Sequence, residues 1–292
     1  MYEIARVLEG IWFQFKQIAP YWASGLAAGS LVSVYLSKKI TEKMAKTASG
    51  GFWFFPLFLA AVLGIVSPLC MYGTVPIIAA LGRKNVPAHL LASFMVSSIL
   101  LNPNLFIMTF ALGAGIALLR LSLCFISGIL AGVLVYLLFR DKPLFSFDRF
   151  ADDAQEKKTK KFFPDLLKAV KITFPYLLLG ITLTALFDRY VPPQWISSMF
   201  GAKRGLGVLF ATTLSIPLYA CGGGTIPLIN AWMQSGMGAG DAMSFMLAGP
   251  AVKINNLSAV KMILGARNFF IYIAYSLVFA VLTGLILNFL VK

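Results

Sequence analysis

The chain has 292 residues and a formal net charge of +14, yet only 12% of its residues are charged, 59% are hydrophobic and the mean hydropathy is +0.83. Soluble proteins carry roughly 25% charged residues, so a soluble enzyme or binding module is excluded for lack of solvating surface. The cations sit in short loops between apolar runs, as the positive-inside rule expects of a polytopic membrane protein and as a nucleic-acid-binding face does not.

In chain order, the N-terminus lacks a basic leader with a small-residue cleavage site and reads as mature sequence. A first apolar run predicts a helix over about 18–37, and a loop at 37–50 follows with Lys38, Lys39, Lys43 and Lys46. A second helix is predicted over about 51–68. Residues 69–104 form an interrupted region, punctuated by Gly73, Pro76, Gly82, Pro87 and Pro103. Its apolar pieces are only about 11 to 14 residues long, short of the roughly 20 that span a bilayer. The apolar runs 105–119 and 121–139 then carry one or two helices to the end of the half. Residues 140–165 are polar and lysine-rich, with Lys157, Lys158, Lys160 and Lys161. The same order returns after it: helices over about 168–188 and 204–218, an interrupted region at 219–255, and a last apolar run at 269–291.

The two halves repeat. Moved by 151 positions, residues 70–104 fall on 221–255 with eleven identities in 35 positions, among them Cys70, Gly73, Thr74, Pro76 and Asn104. Shared apolar composition would match Leu, Ile and Ala, but not Cys, Gly, Thr, Pro and Asn as well. The chain therefore divides into an N-terminal membrane repeat (1–140), a charged cytoplasmic linker (141–165) and a C-terminal membrane repeat (166–292). The expected fold is an all-α polytopic membrane protein of about eight to ten segments, with broken or re-entrant helices at the centre. If loops 37–50 and 140–165 both face the cytoplasm, an odd number of crossings separates them and the halves are inverted. If each interrupted region crosses fully, they are parallel.

Paired Gly/Pro-interrupted segments in two halves point to a transporter binding site. The candidate binding residues are Cys70, Gly73, Thr74, Asn102 and Asn104 in the first repeat, with Cys221, Gly222, Gly223, Gly224, Thr225, Lys253, Asn255 and Asn256 in the second. Cys70 and Cys221 hold equivalent positions, and thiolates favour soft metals and metalloids; each is equally a small buried hydrophobe. Lys253 is an intramembrane cation, either an anion-binding group or a snorkelling side chain. The eleven carboxylates avoid the span centres, so no Asp/Glu proton relay is expected; Asp188 closes a helix and Asp241 reads as an N-cap. His89 reads as a helix-start residue and Cys124 as packing. No zincin, Walker or nucleophile-elbow motif is present, so no enzyme activity, cofactor or bound metal is expected.

At Ile216-Pro-Leu-Tyr-Ala-Cys-Gly-Gly-Gly-Thr-Ile-Pro227 and Ser244-Phe-Met-Leu-Ala-Gly-Pro-Ala-Val-Lys-Ile-Asn-Asn256 the sequence resembles the ArsP-type permeases. The first half carries the related Ser67-Pro-Leu-Cys-Met-Tyr-Gly-Thr-Val-Pro76 and Asn102-Pro-Asn104. The resemblance implies an inner-membrane permease whose partners are the lipid bilayer and a small-molecule or metalloid substrate, with trivalent organoarsenicals the substrate of characterised members. Where that family often has a Cys-Ser-Cys-Gly-like run, this chain has Leu69-Cys70-Met71-Tyr72-Gly73. Alternating access of the two halves, another soft or sulfur-containing substrate, a small anionic solute held by Lys253 and helix N-termini, and a non-transporting membrane scaffold or partner protein are the further expectations.

Overall fold

The computed structural model describes residues 54–67, 71–82, 85–139, 144–145, 206–219, 225–234 and 236–290, with scattered helical positions between 8 and 23 and between 167 and 182. The described chain is helical, with no strand among the described residues. Nine α-helices follow in order among the described residues: α1 (Phe54–Val66), α2 (Met71–Gly82), α3 (Ala88–Leu100), α4 (Pro103–Thr109), α5 (Ala114–Leu138), α6 (Leu206–Leu218), α7 (Thr225–Gln234), α8 (Ala239–Val252) and α9 (Ile254–Leu290). Most of the helices predicted at 18–37 and 168–188, and most of the linker, lie outside the described residues.

The interrupted regions break where the sequence places its punctuation, and they break identically. Between α2 and α3 the chain turns at Asn85 (φ 60°), whose N–H bonds to Gly82 O at 3.0 Å while Val86 N–H bonds to Leu81 O at 3.3 Å. Between α7 and α8 it turns at Gly236 (φ 100°), with Gly236 N–H on Met233 O at 3.1 Å and Met237 N–H on Trp232 O at 2.9 Å. Every atom pair is displaced by 151 residues. Asn and Gly are the residue types that enter the left-handed region at least cost, so different residues serve one conformation. A second break follows each third element: the chain runs extended at Leu101 and Asn102 before α4, which is bent about 40° from α3, and extended again at Lys253 before α9. A third comes at Gly113 (φ 112°) and at Gly265 (φ 68°), now 152 residues apart, so the second half carries one extra residue between its last two breaks.

Packing repeats with the elements. α3 lies against α1 and α5, and α8 against α6 and α9. A Cβ on Gly132 would meet Leu57, His89 O and Ser93; one on Gly284 would meet Val208, Gly240 O and Ser244, the equivalent three positions. Lipid tails are as apolar as leucine, so close approach of glycine-lined helices, not hydrophobic burial, supplies the attraction between them. The outer surface accordingly carries Leu118, Ile126, Leu130, Phe270, Val278 and Phe289, while Ser93, Ser97 and Ser127 are buried. The halves meet chiefly through α3 with α8 and α2 with α9, helped by α5 with α8.

α5 has 25 residues, about 38 Å at 1.5 Å per residue, and so exceeds a hydrocarbon core of about 30 Å. Ala114–Leu138 and Ala259–Leu290 are long and apolar enough to cross a membrane, and α3 with α4 makes a third if the bent pair counts as one span. The start of the predicted linker is not solvated: Leu144 and Phe145 are buried in the core, and Asn268 Nδ2 donates to Leu144 O at 2.7 Å.

Candidate functional site

The predicted site residues that the structure describes gather at the breaks. Gly73 and Thr74 are buried in the first turn of α2, and Thr225, also buried, begins α7. Thr74 Oγ1 lies 3.0 Å from Ser98 Oγ, which lies 3.2 Å from Ser67 Oγ, whose own hydroxyl donates to Gly64 O at 2.7 Å. Asn102 caps α4: its Oδ1 accepts from Leu105 N–H at 2.9 Å, with Pro103 in the first helical position, where its missing N–H costs nothing. Asn104 is half-buried one residue further on. In the second repeat the equivalent of Asn102 is Lys253, which is 2% exposed and joins α8 to α9. Asn255 is in the first turn of α9, and Asn256 Nδ2 donates to Pro250 O at 2.8 Å. Cys70, Cys221, Gly222, Gly223 and Gly224 lie outside the described residues.

Between the halves stands a group that the sequence reading passes over. Arg120, in the second turn of α5, is fully buried. Its Nη1 donates to Thr109 Oγ1 at 2.8 Å within the first half. Its Nη2 reaches the second half, donating to Tyr219 Oη at 3.2 Å and to Met246 O at 3.3 Å. Cys124, one turn along α5, is fully buried beside the guanidinium, as its reading as a packing residue expects. The sequence of α8 makes that reception possible. Pro250 has no N–H to give the carbonyl of residue 246, which frees Met246 O for Arg120. Gly249 has no Cβ, and the Tyr219 ring fills that space: a Cβ there would collide with Tyr219 Cδ2. Gly249-Pro250 is thus a seat for one aromatic ring and one cation. The signal for Arg120 is in the sequence, as the single charge between the apolar runs 105–119 and 121–139.

One expectation is corrected. Asp241 is not an N-cap: α8 is capped by Gly238 without a side-chain bond, and Asp241 is the third residue of the helix. From there it puts a carboxylate in the first turn, where the helix dipole favours negative charge, and Asn288 Nδ2 donates to its Oδ1 at 2.8 Å. His89 is buried in the first turn of α3 with its ring edge-on to Tyr136, centroids 5.3 Å apart.

A cavity of about 90 Å³ opens between α3, α5 and α9, lined by apolar side chains such as Met95, Val96, Leu134 and Leu264 together with Tyr272 and Tyr275. It bridges the halves but contains none of the predicted binding residues. No three potential metal ligands cluster among the described residues.

Residues 16–289 match the family model ArsP_1, described as a predicted permease. Three curated proteins are similar. One, of Streptococcus mutans and named "Putative two-component membrane permease complex subunit", is 27% identical over 83% of this chain and 81% of its own length. The UPF0718 protein YcgR of Bacillus subtilis is 24% identical over 92% of both chains. A UPF0718 protein of Methanocaldococcus jannaschii is 25% identical over 47% of this chain and 38% of its own length. No solved structure matches.

Proposed function

Because the chain belongs to the ArsP_1 predicted permeases, a family of transporters and not of enzymes, we propose that it carries a small anionic solute across the inner membrane by alternating access between its two repeats. Membrane location and a permease role come with the family and with the apolar helices. The solute class and the mechanism are our reading, with inverted repeats flanking one central site.

Lys253 is the observation that carries the solute class. It is buried at the joint where the first repeat has the neutral cap Asn102. The C-terminal carbonyls of α8 tolerate a cation there, but the positive end of α9 starts at the next residue, and a cation at a helix N-terminus is unfavourable. An anion at this joint meets both the ammonium and the helix end, as substrate carboxylates do at broken transporter helices. An exchange from Asn to Lys at equivalent positions makes the two halves electrostatically unequal, which suits a solute with one charged end.

A second reading keeps the trivalent organoarsenical. Cys70 immediately precedes α2 and Cys221 precedes the equivalent α7, so paired thiols at matching helix starts support it. The name of the Streptococcus mutans relative also makes a second membrane subunit the partner class to seek.

Proteoliposome flux across a panel of carboxylates, sulfur oxyanions, neutral solutes and trivalent arsenicals separates these readings. The anion reading expects flux of at least one anion that Lys253→Ala lowers by about tenfold, the loss of one charge-assisted contact. Full anion flux in Lys253→Ala defeats it. Arsenical flux abolished in Cys70→Ser/Cys221→Ser establishes the thiol site instead.

A further inference from the structure

We infer that Arg120 is the binding group for an oxyanion, which it takes up by releasing its partners in the second half; this deepens the anionic-solute reading and rests on it. A guanidinium does not lose its proton in a protein, so Arg120 brings a full charge to a fully buried position in a membrane-crossing helix. Its bonded partners, Thr109 Oγ1, Tyr219 Oη and Met246 O, are all neutral. They fill its hydrogen-bonding sites without cancelling its charge, and a buried charge without a counter-charge costs several kcal/mol. The Nε–H, buried as well, has no acceptor among the described residues.

The bond lengths divide by half. Thr109, in the same repeat, is held at 2.8 Å; Tyr219 and Met246, across the boundary, are held at 3.2 and 3.3 Å, at and just past the long end of the N–H···O range. A movement of the halves against each other therefore breaks the Nη2 bonds first and leaves Nη1 on Thr109. Nη2 and the unpartnered Nε–H form one edge of the guanidinium, the edge that takes two oxygens of a carboxylate, sulfate or phosphate in parallel. A halide fills one of those two positions. The site thus selects oxyanions, and the anion competes with Tyr219 and Met246 for one edge. Binding and separation of the halves are then a single event. Lys253 stands seven residues beyond Met246, about 10 Å along α8, so both buried cations border the same helix.

The test uses the full chain in lipid nanodiscs, with potassium acetate, sulfate and phosphate as probes against potassium chloride at equal ionic strength, read by calorimetry and by thermal unfolding. Wild type is expected to bind at least one oxyanion saturably, and chloride not. Arg120→Met should lose about tenfold or more in affinity, the worth of a charge-assisted pair, and Arg120→Lys should fall between. Tyr219→Phe, which keeps the cation and removes a neutral competitor, should bind as tightly as wild type or tighter; it decides the matter should Arg120→Met not fold. Equal binding by wild type and Arg120→Met, absence of oxyanion binding by wild type, or loss of binding in Tyr219→Phe overturns the proposal. Solute flux in proteoliposomes without oxyanion binding removes this role from Arg120 and leaves the permease intact. Arg120-dependent binding without flux of any probe leaves the site and removes the transport reading.

Discussion

Nη2 of Arg120 lies 3.3 Å from the carbonyl oxygen of Met246, the oxygen to which residue 250 would donate if it were not proline. A local rule of helix chemistry in one repeat thus creates the acceptor for a charge in the other. Pro250→Ala supplies the missing N–H and lets α8 close its own ladder, relieving a helix-interior proline whose cost is about 3 kcal/mol in an isolated helix. The unfolding temperature should hold or rise, and oxyanion affinity should hold or tighten, because Met246 O then has a donor within α8 and no longer competes for the Arg120 edge. A fall in both would show that the packing needs the bend of the proline and not the freed carbonyl.

Gly249 tests the other half of that seat. Its absent Cβ would collide with Tyr219 Cδ2 and Cγ, so Gly249→Ala must push the ring away and carry its hydroxyl off Arg120. Overpacking of this kind costs about 1–3 kcal/mol. In a double-mutant cycle with Tyr219→Ala, most of that loss should disappear, because the methyl group then enters vacated space. Additive losses, measured by denaturation in one lipid, would place the damage elsewhere in α8.

At the opposite end of α8, Asn288 holds two groups with one amide: its Oδ1 accepts Gly240 N–H at 3.0 Å and its Nδ2 donates to Asp241 at 2.8 Å. Asn288→Ala leaves a buried N–H and a buried carboxylate short of partners, each worth about 1–3 kcal/mol. Asn288→Asp keeps the shape and the acceptor but sets a second carboxylate against the first. It should be the more destabilising of the two at neutral pH and should recover as pH falls, when protonation of either acid restores a donor between them. Thermal unfolding of both variants across pH 4–8 measures this, and an Asn288→Asp variant as stable as Asn288→Ala at neutral pH would refute the like-charge argument.

The repeat and the breaks are legible in the sequence because they are local; the long helices Ala114–Leu138 and Ile254–Leu290 do not follow the expected runs at 105–119, 121–139 and 269–291. Proline, glycine and the run length between them act on the chain that carries them, and so α2, α3, α7 and α8 end where punctuation appears. The match of Asn85 with Gly236 escapes identity scoring, since the shared property is a left-handed backbone and not a side chain. The sequence reads Asp241 as a cap outside the helix, but the chain enters the helix at Ala239, two residues earlier, and the carboxylate stands in the first turn. Arg120 is the least legible, for two reasons. Its partners are Tyr219 and Met246, 99 and 126 residues away, and only tertiary packing joins them. After the one-residue insertion its repeat equivalent is Tyr272, which donates to Ala251 O at 3.1 Å, so no residue-type match marks the position.

The joint at Lys253 sets stability against transport. In the first repeat the same joint carries Asn102, whose side chain caps α4 through Leu105 N–H. Asn102→Ala should therefore cost about 1 kcal/mol, the usual loss for removing such a cap. Lys253→Asn should do the reverse. It removes a buried charge from the positive end of α9 and offers Asn256 N–H the side-chain acceptor that its counterpart has; at present that N–H bonds to Lys253 O at 2.9 Å. Residues kept at a cost in stability are expected where function needs them. Lys253→Asn should unfold at or above the wild-type temperature while its anion flux falls. A variant that is both more stable and fully active would mean that Lys253 carries no solute, and a clearly less stable one would mean that its charge is part of the packing of the second repeat.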